Sequence, residues 1–171
     1  MQCVALCLAL VAVAPGAQPF PTQSPASPRQ EATQDPRGES PLTGTWAANV
    51  AKSRRHPNHL FQSARLRFAV AGDTVTLTHG GVNASGEEES GVMTLHADGK
   101  EHSASEQTPG VVVVTRWVGP RLLETVAKKD GTMVGQQSYE VSADGKTLTA
   151  KVWGTDAGGA LFEHVIVFDR K

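Results

Sequence analysis

From Gly44 onward the chain alternates apolar and polar residues with a period of two. Leu66, Phe68 and Val70 alternate with Arg65 and Arg67, and Val75 and Leu77 alternate with Thr74, Thr76 and Thr78. This is the pattern of strands with one buried face. Helix signals are weak throughout. The one candidate helical turn lies near 50–56, where Pro57 would stop it. Asp98-Gly99, Asp130-Gly131 and Asp144-Gly145 each separate strand-like runs, and Gly72-Asp73 and Gly119-Pro120 read as further turns. Asp-Gly suits two-residue hairpins because both positions need positive φ. The echo of His-Ala-Asp-Gly-Lys at 96–100 in Ser-Ala-Asp-Gly-Lys at 142–146 is shared turn chemistry rather than a solenoid repeat. The prediction is an all-β fold, an antiparallel up-and-down meander of about eight to ten strands closed into a barrel, since closure removes exposed edges. A Gly-x-Trp at its start (Gly44-Thr45-Trp46) would lay an indole across the barrel floor.

Two-residue turns set a register, so faces follow. Around Asp144-Gly145, Val141 pairs with Leu148, Tyr139 with Ala150 and Gln137 with Val152. Carried back through Asp130-Gly131, the register sets Gln137 opposite Glu124 and Tyr139 opposite Leu122. Through Gly119-Pro120 it sets Leu122 opposite Trp117 and Glu124 opposite Thr115. One face then holds Val111, Val113, Thr115, Trp117, Leu122, Glu124, Val126, Met133, Gln137, Tyr139, Val141, Leu148, Ala150 and Val152, and the other holds Arg116, Ser138, Glu140, Thr149 and Lys151. The polarity split supports this register, and a single bulge would invert part of it. Thr115, Glu124, Gln137 and Tyr139 become polar groups within an apolar interior. They either satisfy one another with internal water or orient a ligand. In the last strand Phe162, His164, Ile166 and Phe168 form the bulkier, inward face. His164 is then a hydrogen-bonded core histidine or, as a distant alternative, a haem or metal ligand, with no second ligand identifiable.

Before the strands, residues 3–14 are continuously apolar, too few for a bilayer span but fitting a secretory signal over residues 1–17. No Lys or Arg precedes the run, and Pro15 spoils the best cleavage geometry. Residues 18–43 hold six prolines with Gln, Ser and Thr and read as a disordered linker, leaving 44–171 as the folded domain. The expected location is outside the cytoplasm, periplasmic or secreted. Cys3 and Cys7 are the only cysteines, so the domain has no disulfide and no Cys-based zinc site. Removing Arg29 and Arg37 from 16 basic residues, and Glu31, Asp35 and Glu39 from 17 acidic ones, leaves the domain 14 of each. With no basic field, a nucleic-acid partner is not expected, nor is stable membrane insertion.

Other chemistry is sparse. His56 and His59 have metal-like spacing, but Pro57 argues against the helix that would make it useful. The hairpin register pairs His96 with Glu101 and puts His102 on the opposite face, so the two histidines do not share an ion. His79 reads as a strand-end residue. Glu87-Glu88-Glu89 reads as a solvated loop or edge, and Asn83-Ala84-Ser85 as a glycosylation sequon with meaning only in a eukaryotic secretory pathway. No nucleophile elbow, phosphate loop, dinucleotide fingerprint or His-Glu-x-x-His occurs, so no enzyme, metal or cofactor is expected.

The ordered set Gly44-Thr45-Trp46, Asn49, Lys52-Ser53, then residues 142–149, Gly154-Thr155-Asp156 and the terminal Val167-Phe168-Asp169-Arg170 resembles a group of small exported bacterial lipocalin-like proteins over residues 44–171. It is also distantly similar to lipocalins and fatty-acid-binding proteins, the calycins. That resemblance implies a small apolar ligand in the lumen and Arg170 packed over Trp46. Two departures bear on it. Residues 51–64 leave room for no helix–turn–helix lid, and Ile166 and Phe168 stand where fatty-acid-binding proteins carry an Arg-x-Tyr for the carboxylate. An ionised Glu124 would also repel an anionic head group. The leading expectation is a non-enzymatic barrel holding a small apolar or neutral molecule against Trp117, Glu124, Gln137, Tyr139 and His164. The alternative is an envelope or extracellular interaction or structural module with a filled barrel, which binds an unidentified protein partner through an edge strand or an outer patch including Leu123 and Trp153.

Overall fold

Ten antiparallel strands form one continuous sheet in the computed structural model, which describes residues 39–57, 60–104, 109–155 and 161–171. The signal-like segment, most of the linker, His59 and Asp156 lie outside the described residues. The strands are β1 (Gly44–Ala48), β2 (Phe61–Ala71), β3 (Thr74–Asn83), β4 (Glu88–His96), β5 (Asp98–Ser103), β6 (Val111–Gly119), β7 (Leu122–Lys129), β8 (Thr132–Val141), β9 (Thr147–Thr155) and β10 (Leu161–Arg170). Their order is β4-β3-β2-β1-β10-β9-β8-β7-β6-β5. Pairing of β1 with β10 joins the ends of the domain, through Trp46 opposite Arg170 and Ala48 opposite Phe168. The sheet curls into a nearly closed barrel. Its two edges, β4 and β5, are adjacent but share no ladder among the described residues, which leaves one seam.

Local chemistry explains the connections. Asp130 and Gly131 both have positive φ, 50° and 79°, as the two-residue hairpin between β7 and β8 requires. Asp144-Gly145 closes the β8–β9 hairpin in a wider loop, in which only Gly145 is left-handed. Asp98-Gly99 is not a hairpin. It lies in β5, which pairs with β6 and not with β4. The two Asp-Gly-Lys copies nevertheless share a local bond. The Lys100 amide donates to Asp98 Oδ1 at 3.0 Å, and the Lys146 amide to Asp144 Oδ1 at 3.1 Å. The candidate helical turn is a single 3-10 turn, Val50–Lys52.

The β8–β9 register is the predicted one, with Val141 opposite Leu148, Tyr139 opposite Ala150 and Gln137 opposite Val152. The strand before it is inverted. A bulge at Val134 sets Gln137 opposite Thr125 and Tyr139 opposite Leu123. A second irregularity at Val118 returns β6 to its predicted face, with Thr115 opposite Thr125 and Trp117 opposite Leu123. Leu123, Thr125 and Ala127 therefore face inward, each no more than 3% exposed. Leu122, Glu124 and Val126 face outward, and Met133 is 48% exposed. Each bulge moves the following residues to the opposite face of the sheet.

The core fills the Trp46 end. Trp46, Leu66, Phe68, Val75, Leu77, Leu123, Tyr139, Val141, Leu148, Ile166 and Phe168 are each 1% exposed or less and form one cluster. Burying each large side chain contributes about 1.5–3 kcal/mol. Phe68 and Tyr139, from strands on opposite walls, meet edge-to-face at 5.0 Å and block the lumen at that level.

Candidate functional site

The floor is held by the residues of the opening motif. Trp46 Nε1 donates to the Leu42 carbonyl at 3.0 Å. The Arg170 guanidinium lies 4.1 Å from the indole centroid, the cation–π contact implied by the calycin resemblance. Arg170 also donates to the carbonyls of Gly145, Thr43 and Pro41. Gly44 has φ 128°, a backbone conformation that residues with side chains rarely adopt, and a β-carbon there would also sit 2.9 Å from Arg170 Nη1. Asn49 Nδ2 donates to Asp169 Oδ2 at 2.7 Å, and its Oδ1 accepts the Lys52 amide. Ser53 Oγ donates to the Asn49 carbonyl and accepts the Val167 amide. The two ends of the quoted motif thus clamp each other.

Above this floor the inner face turns polar. Thr115, Thr125, Gln137, Val152 and His164 are successive cross-strand partners on β6 through β10. Thr115, Thr125, Gln137 and His164 are each at most 5% exposed. The Thr115 and Thr125 hydroxyls share a hydrogen bond of 3.0 Å. Gln137 Nε2 donates to Tyr139 Oη at 2.5 Å, while Gln137 Oε1 is buried without a partner. His164 Nδ1 accepts the His56 amide at 3.0 Å, which places the ring proton of the neutral imidazole on Nε2. Coordination of a haem iron through Nε2 would require the opposite tautomer, with a proton on Nδ1 facing that amide. His164 thus has the hydrogen-bonded setting of a core histidine. Among the described residues, the segment after the 3-10 turn forms no helix–turn–helix lid. It runs beside β10, bridged at Arg54 and Val165, and carries His56 over His164.

The seam opens onto a cavity of about 420 Å³. Its inner wall is built by Met93 and Leu95 from β4 and by Val113 and Thr115 from β6. His96 and His102 stand at its mouth, with rings stacked 4.6 Å apart. This corrects the expectation that they lie on opposite faces, which assumed a hairpin at Asp98-Gly99. His102 Nε2 is engaged by Asp98 Oδ1 at 2.9 Å. Among the described residues no group of three or more His, Cys, Asp or Glu could hold a metal ion.

The five nominated ligand contacts therefore separate. Gln137 and His164 lie in the polar row. Tyr139 belongs to the packed core, and Trp117 packs against it. Glu124 lies outside the barrel. Its carboxylate accepts from Arg116 Nε at 2.9 Å and Nη2 at 2.6 Å, and also from Gln136 Nε2. Gln136 Oε1 in turn accepts Trp153 Nε1 at 3.1 Å. The Val134 bulge is the cause, and Glu124 makes no lumen contact. The same shift removes the proposed outer patch, because Leu123 is fully buried.

His79 and Thr125 were missed as interior polar groups. His79 lies within β3, directly opposite Gly91. A β-carbon at Gly91 would come within 2.6 Å of the His79 ring. Burial lowers the His79 pKa, and Glu89 opposes that shift. Asn83 is 8% exposed, its Nδ2 donating to Glu87 and Glu89 and its Oδ1 accepting the Ser85 and Glu87 amides. It is a turn-forming residue rather than an open glycan acceptor.

No protein-family model matches this sequence, and no curated protein sequence matches it. Solved structures do. A fatty acid binding protein of Schistosoma mansoni in complex with arachidonic acid is similar at 15% identity and a TM-score of 0.52, covering 77% of this chain and 97% of that one. A zebrafish ileal bile acid-binding protein complexed with cholic acid is similar at 14% identity and a TM-score of 0.50, covering 77% of this chain and all of that one. The fold is calycin-like: an all-β, nearly closed barrel of ten antiparallel strands.

Proposed function

We propose that this protein is an exported, non-enzymatic barrel that holds one small apolar or neutral molecule in the upper part of its lumen. The observation that carries the reading is the seam cavity, with Met93, Leu95 and Val113 as an apolar wall and Thr115 leading into the polar row. A concave site that joins an apolar wall to convergent polar groups is the usual form of a small-molecule site, and the volume of the seam cavity falls within the usual range of about 300–1,000 Å³. Two proteins of similar fold hold lipid-like ligands, arachidonic acid and cholic acid. Export is supported by the apolar run at 3–14 followed by the small residues Ala14, Gly16 and Ala17. Amino-terminal sequencing of protein from its own host tests it, with cleavage near residue 17 as the expected result.

The binding test is displacement of an apolar fluorescent probe, paired with Val113→Phe, which fills the cavity from its own wall. Wild type is expected to bind the probe and to release it to aliphatic competitors. The variant is expected to keep its fold and to lose about tenfold or more in affinity, which corresponds to about 1.4 kcal/mol. Equal binding by the filled variant would remove the cavity from the reading.

A further inference from the structure

Gln137 is 3% exposed, and its two amide atoms differ sharply. Nε2 is committed to Tyr139 Oη at 2.5 Å, while Oε1 is buried with no hydrogen-bond partner. A buried amide oxygen without a donor is destabilising. Native chains tolerate one chiefly where something outside the chain supplies the missing proton. Gln137 lies two strands from Thr115 along the register row, about 10 Å at the usual strand spacing. Thr115 lines the seam cavity, and Thr125 stands between it and Gln137 in the row. The row itself offers hydroxyls, an amide and a neutral imidazole. Arg116 and Lys151, on strands of the row, are exposed on the other face.

We propose that the lumen recognises a neutral hydrogen-bond donor, an alcohol or an N–H amide, on an otherwise apolar ligand, and that Gln137 Oε1 accepts its hydrogen bond. The inference rests on the lumen-binding reading above. Met93, Leu95 and Val113 take the apolar body, and Thr115 and Thr125 border the path to the acceptor. A carboxylate is disfavoured, because its charge would meet the lone pairs of Oε1 and lose its water without gaining a cation. A ligand that only accepts hydrogen bonds leaves Oε1 unsatisfied.

Three probes of matched chain separate these cases: decanol, methyl decanoate and decanoate at neutral pH, each titrated calorimetrically into wild-type protein and Gln137→Leu. Wild type is expected to bind decanol about tenfold more tightly than the ester or the anion, the size of one well-placed hydrogen bond. Gln137→Leu is expected to erase that preference by weakening decanol while leaving the ester unchanged. Gln137→Met, which keeps length and loses the acceptor, repeats the measurement should the leucine variant fold poorly. An ester that binds as well as decanol overturns the proposal, as would follow if the amide were turned over or internal water satisfied Oε1. So does tighter binding of decanoate, or a preference that survives in both variants. If none of the three binds, the lumen reading itself fails and the inference falls with it. That pattern is distinct from binding without preference.

Discussion

The two ends of this barrel follow different rules. At the Trp46 end the indole N–H has its carbonyl, Arg170 has three carbonyls and an aromatic face, and Asn49 and Ser53 each use both donor and acceptor. In the upper half two buried side-chain atoms, Gln137 Oε1 and His79 Nδ1, have no partner. The adjoining edges β4 and β5 are also unpaired there. Polar satisfaction and tight packing mark where a chain invests in stability, and buried polar atoms without partners mark where it forgoes it. The contrast predicts that substitutions at the floor change folding, while those in the polar row change binding.

The largest effect is expected at the floor. Trp46→Ala removes a fully buried indole and should cost about 3–5 kcal/mol in urea unfolding, enough to unfold a marginal domain. Trp46→Phe should keep the fold and leave probe affinity in the seam cavity unchanged. An equal loss of affinity would merge the two regions that the comparison separates. Next comes the inverted strand. Leu123→Ala should cost about 2–5 kcal/mol, because Leu123 is fully buried. Glu124→Ala should cost less than about 1 kcal/mol, since its main partner, Arg116, has a side chain 62% exposed. The reverse ranking would restore the unbulged register. Third, Arg170→Ala should cost about 1 kcal/mol through the lost cation–π contact. The lost carbonyl bonds should add to this, and ligand affinity should not change.

How much was legible follows the same division. The meander, the indole floor and the Arg170 contact were readable, because alternation and turn chemistry are local and the clamp repeats a known pattern. Gln137, Tyr139 and His164 were rightly placed inside, since β8, β9 and β10 pair without bulges over those residues, and Thr115 because the irregularities at Val134 and Val118 cancel along the sheet. Glu124 was misplaced for a physical reason. Leu122, Glu124 and Val126 alternate with Leu123, Thr125 and Ala127, and both sets have similar apolar content. Nothing in composition chooses between them, so the choice passes to a bulge at Val134, whose one mark in the sequence is the neighbouring Gly135 inside a strand. The seam was hidden likewise. Asp98-Gly99 has the residues of a hairpin turn but sits in β5, and only the closing of the whole barrel decides that β4 and β5 do not pair.

The smallest expected effect sharpens the comparison most, because it separates the two regions by pH. Burial holds the His79 pKa below its ordinary 6.5, with Glu89 opposing. The folded state therefore binds this proton less readily than the unfolded chain. Stability is insensitive to His79 well above pH 6.5 and declines as pH falls through that value towards the lowered folded pKa. Asp169 beside the floor, Asp144 in its turn and Asp98 at the start of β5 have pKa values lowered from 3.8, so the stability they contribute is lost only below about pH 4. Between pH 7.5 and 5.5 the His79 effect should thus be separable from theirs. The urea midpoint of wild type should fall modestly over that range, and that of His79→Asn should fall by less. Identical slopes for the two proteins would mean that the proton finds His79 as readily in the fold as out of it, and that the upper lumen is wet where the floor is dry.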